Sequence, residues 1–473
     1  MQDKLVLLDY DHSVARMAAR MLRSERICCK IFPWDTPAET VFAEDPSGLI
    51  LCAAHDSVFA DPEGLLRVSH VPVLALGAAA AGMAVFLGGS AGTLIQDQRM
   101  TDIRLSACPL LSGMTSSKRL LSGMIPLSLP EDVSVIATAS DSGLPVAFSK
   151  GEWKRFGTLL ELELHDPDSR ILLTNFAQRI CGCTAWWDED AFVSQAVGDI
   201  RRAAGEGTAL CVMTGGLHAS VSALLGARAL GDRMIGVFVN TGLLQEEEES
   251  AFERFFAGRI RLPLVFLDES QRFLHALRGI RDQEEKRSAV HSLLNVVTRE
   301  IQRQYPDLTL IIQDRTFAEQ PQEDYLSLRR GVSLLEPLQD LFLDEVRQVG
   351  SYLGLPYDMI AGQIIPDTGL ALNIIGEVTE EKLSVLRRSD AIFRSILRQS
   401  GQSKKLSEYY AVLRPYEKDT YSVILRALGF HQGDTIRPAR PPYDILEESA
   451  ERIRQECPQV KRVLYDLTPT SRQ

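Results

Sequence analysis

The sequence predicts an α/β protein of several domains, framed by doubly wound parallel sheets. Short apolar runs alternate with helical patterns over the first 90 residues, and a second alternation opens on a glycine turn after residue 209. The length, 473 residues, is too great for one compact core and implies two or three domains.

Lys4 to Leu8 is an apolar run fit for a buried strand, and His12 to Arg23 carries helical spacing. Ile27 to Phe32, Gly48 to Cys52 and Val71 to Leu74 read as further strands. The apolar stretch Val71 to Leu87 is short, holds Pro72 and interior glycines, and is mostly alanine at its centre. It reads as a buried strand followed by a helix and not as a membrane span. Residues 91 to 170 read as mostly β, with turn signals at Pro130-Glu131-Asp132 and Asp141-Ser142-Gly143. After a helical Asp188 to Ala204, Ala209 to Met213 is a strand, Thr214-Gly215-Gly216 a tight turn and Ser220 to Leu230 a helix. Met234 to Val239 (strand), Gln245 to Phe256 (helix) and Leu262 to Leu267 (strand) continue the alternation. Such a sheet binds ligands at the carboxyl edge of its first strand–turn–helix junction. From about Gln363, strands at Leu372 to Ile375, Tyr421 to Leu425 and Val460 to Asp466 mix with helices in a smaller α/β unit.

Composition narrows the partners. Lys plus Arg total 51 against 63 Asp plus Glu, a formal charge of −12, which argues against a nucleic-acid surface. The eight cysteines lack zinc-ribbon spacing, both at Cys28-Cys29 and at Cys181-Gly182-Cys183, so no metal site is expected and the thiols read as packed groups in a reducing cytoplasm. No signal peptide precedes the first strand, and neither a membrane nor a nucleic acid is expected as partner.

Several strings together resemble bacterial GMP synthases along nearly the whole chain. They include Glu336-Pro337-Leu338, Leu341-Phe342, Asp344-Glu345-Val346-Arg347 and Gly354-Leu355-Pro356. Gly376-Glu377-Val378, the run Leu386 to Phe393 and Arg462-Val463-Leu464-Tyr465-Asp466 follow. Asn175-Phe176 with Ile180 to Cys183 resembles the junction between that family's two enzymatic parts. The resemblance implies a class I glutamine amidotransferase-like domain at 1–181 and a doubly wound ATP-pyrophosphatase domain (adenine nucleotide alpha hydrolase-like) at 182–362. A small α/β dimerisation domain at 363–473 completes it. In that family, ammonia from glutamine attacks XMP adenylated by ATP.

The residues for that chemistry are largely replaced. Glutamine hydrolysis needs a thiolate on a tight strand-to-helix elbow, an activating His with its carboxylate, and backbone oxyanion donors. Matching Ala78 to Met83 with the family's elbow string puts Ala80 at the nucleophile. Cys52 follows a different strand, and Ala53 and Ala54 stand where the oxyanion loop has glycines. His165 matches the family's His-Pro-Glu but is followed by Asp166-Pro167, leaving it vestigial. In the pyrophosphate loop Thr214, Gly215, Gly216 and Ser220 remain, His218 replaces Asp and Ala219 replaces Ser. Asn240 stands for a carboxylate, and Gln313 is followed by Asp314-Arg315 where the family has Gly-Thr. Arg329-Arg330-Gly331 lies in a connection much shorter than the family's lid, whereas Asp282 to Arg287 keeps the family pattern. At the XMP site Asp367 replaces a glycine and Asn373 an arginine, the Gly-Asp-Gly-Arg loop is absent between Arg414 and Tyr421, and Thr470 falls where the tail lysine would be. Each missing charge-assisted phosphate contact forfeits roughly 1.5–3 kcal/mol.

The expectation is therefore a degenerate, non-catalytic paralogue with a regulatory or scaffolding role in purine nucleotide metabolism. It would be cytoplasmic, a homodimer through its C-terminal domain or a heterodimer with an active synthase. No cofactor is assigned, and ATP with Mg²⁺ would be the ligands of a phosphate loop that still works. Two enzymatic alternatives stand beside it. One is an ATP-using ligase for another acceptor, with anion contacts from Arg315, Arg329 and Arg330; the other is an ammonia-dependent GMP synthase.

Overall fold

A computed structural model of the chain describes residues 3–468 apart from 62, 96–98, 116–117, 122–124, 152–153, 246–251, 253, 257–262, 316–327, 361–367 and 432–434. The expected helix Gln245 to Phe256 lies largely outside the described residues, as do Asp367 and Thr470. The chain divides into two compact units, Met1–Ala191 and Phe192–Gln473.

The first unit begins with β1 (Leu5–Asp9), α1 (His12–Ser24), β2 (Cys29–Pro33), α2 (Ala38–Ala43), β3 (Gly48–Cys52), α3 (Leu65–Val68), β4 (Val73–Leu76) and α4 (Ala78–Phe86). Leu5, Val6, Leu7 and Leu8 are all fully buried. That is the pattern of a parallel strand covered on both faces. Asp11 caps α1, its side chain accepting from the backbone N–H of Ser13 and Val14. The sheet runs β2-β1-β3-β4 in parallel and continues through Arg155–Thr158, Pro145–Lys150, Ser134–Ala139, Arg99–Leu105 and Lys118–Leu121, nine strands in all. Beyond Arg155–Thr158 the pairing turns antiparallel. The expectation of a β-rich segment between 91 and 170 is met by this extension.

The second unit holds five parallel strands, ordered Leu264–Asp268, Met234–Asn240, Thr208–Met213, Leu308–Ile312 and Ser333–Leu335. The order reverses beside Thr208–Met213, which makes its carboxyl end a topological switch point. Helix Gly216–Leu230 follows that strand at once, four residues earlier than the sequence suggested. Gly215 makes the sharp entry, with φ 107° and ψ −174°, a conformation closed to other residues. A four-stranded sheet follows, in which Tyr421–His431 pairs with Glu408–Pro415, Thr435–Pro438 and Val460–Tyr465.

The strand expected at Leu372 to Ile375 is replaced by a 3₁₀ turn, Gly369–Asn373, and a single bridge from Ile374 to Leu413. Lys286 explains the change. Its fully buried side chain donates from Nζ to the carbonyls of Ala371 (3.3 Å) and Ile374 (2.6 Å), so these acceptors serve a lysine instead of a neighbouring strand. One apolar core runs from Leu210 and Val237 through Val297 and Leu386 to Val423 and Val460.

Candidate functional site

In the first unit the tight strand-to-helix turn is made by Gly77, not by Ala80. β4 ends at Leu76, Gly77 adopts φ 57° and ψ −126°, and α4 begins at Ala78. Ala80 sits within the first turn of that helix, wholly buried, where no side chain could meet a substrate. The turn thus lies three residues before the position that the sequence matching gave to the nucleophile. The usable signal was the lone glycine between the strand and the alanine run, because a positive-φ elbow favours glycine once no nucleophile is needed.

The loop facing this turn is closed onto it. A Cβ added at Gly77 would lie 2.3 Å from the Ala53 carbonyl oxygen and 2.9 Å from the Ala54 carbonyl carbon. The N–H of Ala78 donates to Ala54 O (3.1 Å), and the N–H of Ala54 donates to Ser57 Oγ (3.1 Å). These two amides occupy the places from which an elbow site stabilises an oxyanion, and both are engaged internally. Cys52 offers no substitute: it is fully buried, and burial, with Asp9 adding to it, pushes its thiol well up.

His165 is exposed and precedes a helix cap. Asp166 accepts from the N–H of Ser169 (2.8 Å), and Pro167 opens helix Pro167–Asn175. Asp166-Pro167 is thus a helix start. Two residues that sequence reasoning missed stand by the elbow instead, in a cavity that Gly77 also lines: His55, just after β3, and Glu161, just after Arg155–Thr158.

In the second unit the glycine turn, Asn240 and Gln313 all lie at the carboxyl edge of the parallel sheet, following or ending strands Thr208–Met213, Met234–Asn240 and Leu308–Ile312. Thr214, Gly215 and Gly216 are half-buried there. Three side chains have local tasks. Ser220 is fully buried and donates to Gly216 O (2.7 Å), so its hydroxyl turns into the helix. Asn240 Oδ1 accepts from the N–H of Gly242 (2.8 Å), an Asx turn. His218 is held down to about 4 by burial first and by Arg347 second, which keeps its ring neutral at pH 7.

The proposed anion contacts also have structural partners. Arg329 donates to the carbonyls of Pro306 (2.9 Å) and Leu308 (3.1 Å), fastening the chain before strand Leu308–Ile312. Arg315 Nε lies 3.3 Å from Glu336. Asn373 donates to Ala411 O (3.2 Å), joining the 3₁₀ turn to strand Glu408–Pro415. Among the described residues no cluster of His, Cys, Asp and Glu could hold a metal, and no helix is long and apolar enough to cross a membrane.

The architecture is that of a class I glutamine amidotransferase-like unit followed by a doubly wound ATP-pyrophosphatase-like sheet and a small α/β C-terminal part. Curated relatives match over almost the full length. The GMP synthase (glutamine-hydrolyzing) of Thermomicrobium roseum is 32% identical over 503 residues, covering 98% of this chain and 95% of the relative. That of Nitratiruptor sp. is 32% identical over 504 residues, covering 98% and 97%. That of Caldicellulosiruptor saccharolyticus is 30% identical over 508 residues, covering 99% and 98%. No family model matches the chain. The chain belongs to the glutamine-hydrolyzing GMP synthase family.

Proposed function

We propose that this family member is non-catalytic and serves purine nucleotide metabolism as a regulatory or scaffolding protein. In this reading it is cytoplasmic and assembles through the part of the chain after residue 363, with itself or with an active synthase. The observation that carries the reading is the elbow. Gly77 supplies no nucleophile, and the N–H groups of Ala78 and Ala54 are already engaged by Ala54 O and Ser57 Oγ. Acyl transfer from glutamine needs a nucleophile and benefits by about 10²–10³ in rate from each oxyanion donor, so both halves of the machinery are wanting. Asn240 and Ser220 support the same reading for adenylation, since their side chains hold local backbone groups.

The test is GMP formation by the purified protein from XMP, ATP and Mg²⁺, with glutamine or ammonium as nitrogen source and an active synthase as control. No turnover with either is the expected result. Turnover with glutamine would overturn the reading of the elbow. Turnover with ammonium alone would make the chain an ammonia-dependent synthase. The glycine turn at the switch point favours one second reading, a retained ATP site serving another acceptor, which ATP–pyrophosphate exchange with candidate acceptors would reveal.

A further inference from the structure

One surface of the second unit carries the opposite sign to the chain as a whole. The formal charge is −12, with 63 Asp and Glu in all, yet residues 391–407 and 435–443 contain no acid and hold Arg394, Arg398, Lys404, Lys405, Arg437 and Arg440. Arg394 is buried against Asp390 (2.8 Å), and the other five are exposed. The fold brings the two segments together. Ser407 N–H donates to Leu428 O and Ala439 N–H to Ala427 O, both at 2.8 Å, so the segments flank the same part of strand Tyr421–His431. A Cβ added at Gly429 would lie 3.5 Å from Lys405 O and 3.8 Å from the Ala439 Cβ. Arg437 pairs with Gly429 in the sheet, and Arg440 follows Ala439 directly.

Lys404, Lys405, Arg437 and Arg440 make no ion pair among the described residues. Of the acids that bound the two segments, Asp390 is already paired, Glu408 is half-buried, Asp444 is exposed and Asp434 lies outside the described residues. Pro438, Pro441 and Pro442 stiffen the stretch that presents Arg437 and Arg440, so little backbone freedom is lost when a ligand engages it. The two guanidinium groups add planar forks that match a carboxylate. Cations spread over two exposed segments suit an extended ligand with several carboxylates better than one small anion. A nucleic acid would carry its charge past the patch and over a chain of net negative charge. We propose that this surface docks an acidic segment of a partner protein, its carboxylates against Lys404, Lys405, Arg437 and Arg440. The inference goes beyond a non-catalytic role and stands whether or not the chain aminates XMP.

Fluorescence anisotropy of the full chain with labelled hexaglutamate, hexaglutamine and octauridylate, in about 50 mM salt, tests it. Hexaglutamate is expected to bind about tenfold or more tightly than either other probe, and to weaken about tenfold when salt is raised to about 200 mM. Combining Lys404→Glu, Lys405→Glu and Arg440→Glu is expected to weaken hexaglutamate about tenfold or more. Combining Arg299→Glu, Arg303→Glu and Lys418→Glu, exposed cations elsewhere in the same unit, changes the net charge equally and is expected to weaken it by no more than about twofold. The probe series on the unaltered chain decides the matter even if a variant folds poorly. Absent or salt-insensitive binding of hexaglutamate would overturn the proposal, and tighter binding of octauridylate would overturn it in favour of a nucleic acid. So would equal losses in the two folded variants, which would reduce the effect to net charge.

Discussion

Placing a thiol back at the elbow tests the local geometry directly, and the structure states what the change would cost. In Gly77→Cys the new Cβ must occupy a φ of 57° and ψ of −126° and would stand 2.3 Å from Ala53 O. Holding a non-glycine residue in that region costs of order 1–3 kcal/mol. Forcing the Ala53–Ala54 backbone aside adds about 1–3 kcal/mol of overpacking. The sum, about 2–6 kcal/mol, corresponds to a fall of roughly 4–24 °C in the melting of a unit this size. Displacing the loop would also disturb the Ala78 to Ala54 hydrogen bond without freeing the Ala54 amide from Ser57. The expected outcome is a destabilised protein that releases no ammonia from glutamine. Ala80→Cys is the informative companion, for its thiol would be enclosed within α4 and slow to react with a thiol reagent in the native state. Scanning calorimetry and a coupled ammonia assay provide the readouts. A Gly77→Cys protein with an unchanged melting temperature, or one that hydrolyses glutamine, would refute the reasoning; so would glutamine hydrolysis by Ala80→Cys.

Further outcomes follow from the second unit and the thiols. His218 titrates at about 4 in the fold against 6.5 in the unfolded chain, so between those values the unfolded state binds more protons. Its contribution is therefore fully present above pH 6.5 and lost as pH falls to 4, about 3 kcal/mol, and His218→Gln should show a flatter urea-midpoint profile over that window. Lys286→Met leaves the carbonyls of Ala371 and Ile374 unpaired inside the core and should lower stability by about 2–4 kcal/mol in urea unfolding, with no change at all counting against the tie. Of the eight thiols, Cys108 should react first with a disulfide reagent at neutral pH. Six others are buried, and burial pushes the half-buried Cys181 upward, an order that mass spectrometry of partly labelled protein would check.

The framework was legible where local sequence carries its own register. Leu5 to Leu8, Gly48 to Cys52 and Met234 to Val239 are unbroken apolar runs, and His12 to Arg23 shows its helical spacing. The elbow was misplaced because a run of four alanines offers no landmark along the helix, whereas the required φ singles out Gly77. The false strand at Leu372 is a different failure: its apolar composition is strand-like, but the partner that decides its conformation is Lys286, distant in sequence. His55 and Glu161 were invisible for the same reason. They meet only because β3 and strand Arg155–Thr158 end at the same edge of one sheet, separated by β4.

The continuous core of the second unit sets the timing of its synthesis. Leu210, Val237 and Ile311, from the first strands to be made, share one apolar cluster with Leu386, Val423 and Val460. The first unit is complete once Ala191 has left the ribosome. The parallel sheet, by contrast, waits for the roughly 150 residues between Ile312 and Val460, about 7–30 s at 5–20 residues per second. During that interval Phe273, Val290 and Val297 are present but the C-terminal share of the cluster is missing, and a holdase chaperone that recognises exposed aliphatic strands would find the nascent chain at its most susceptible.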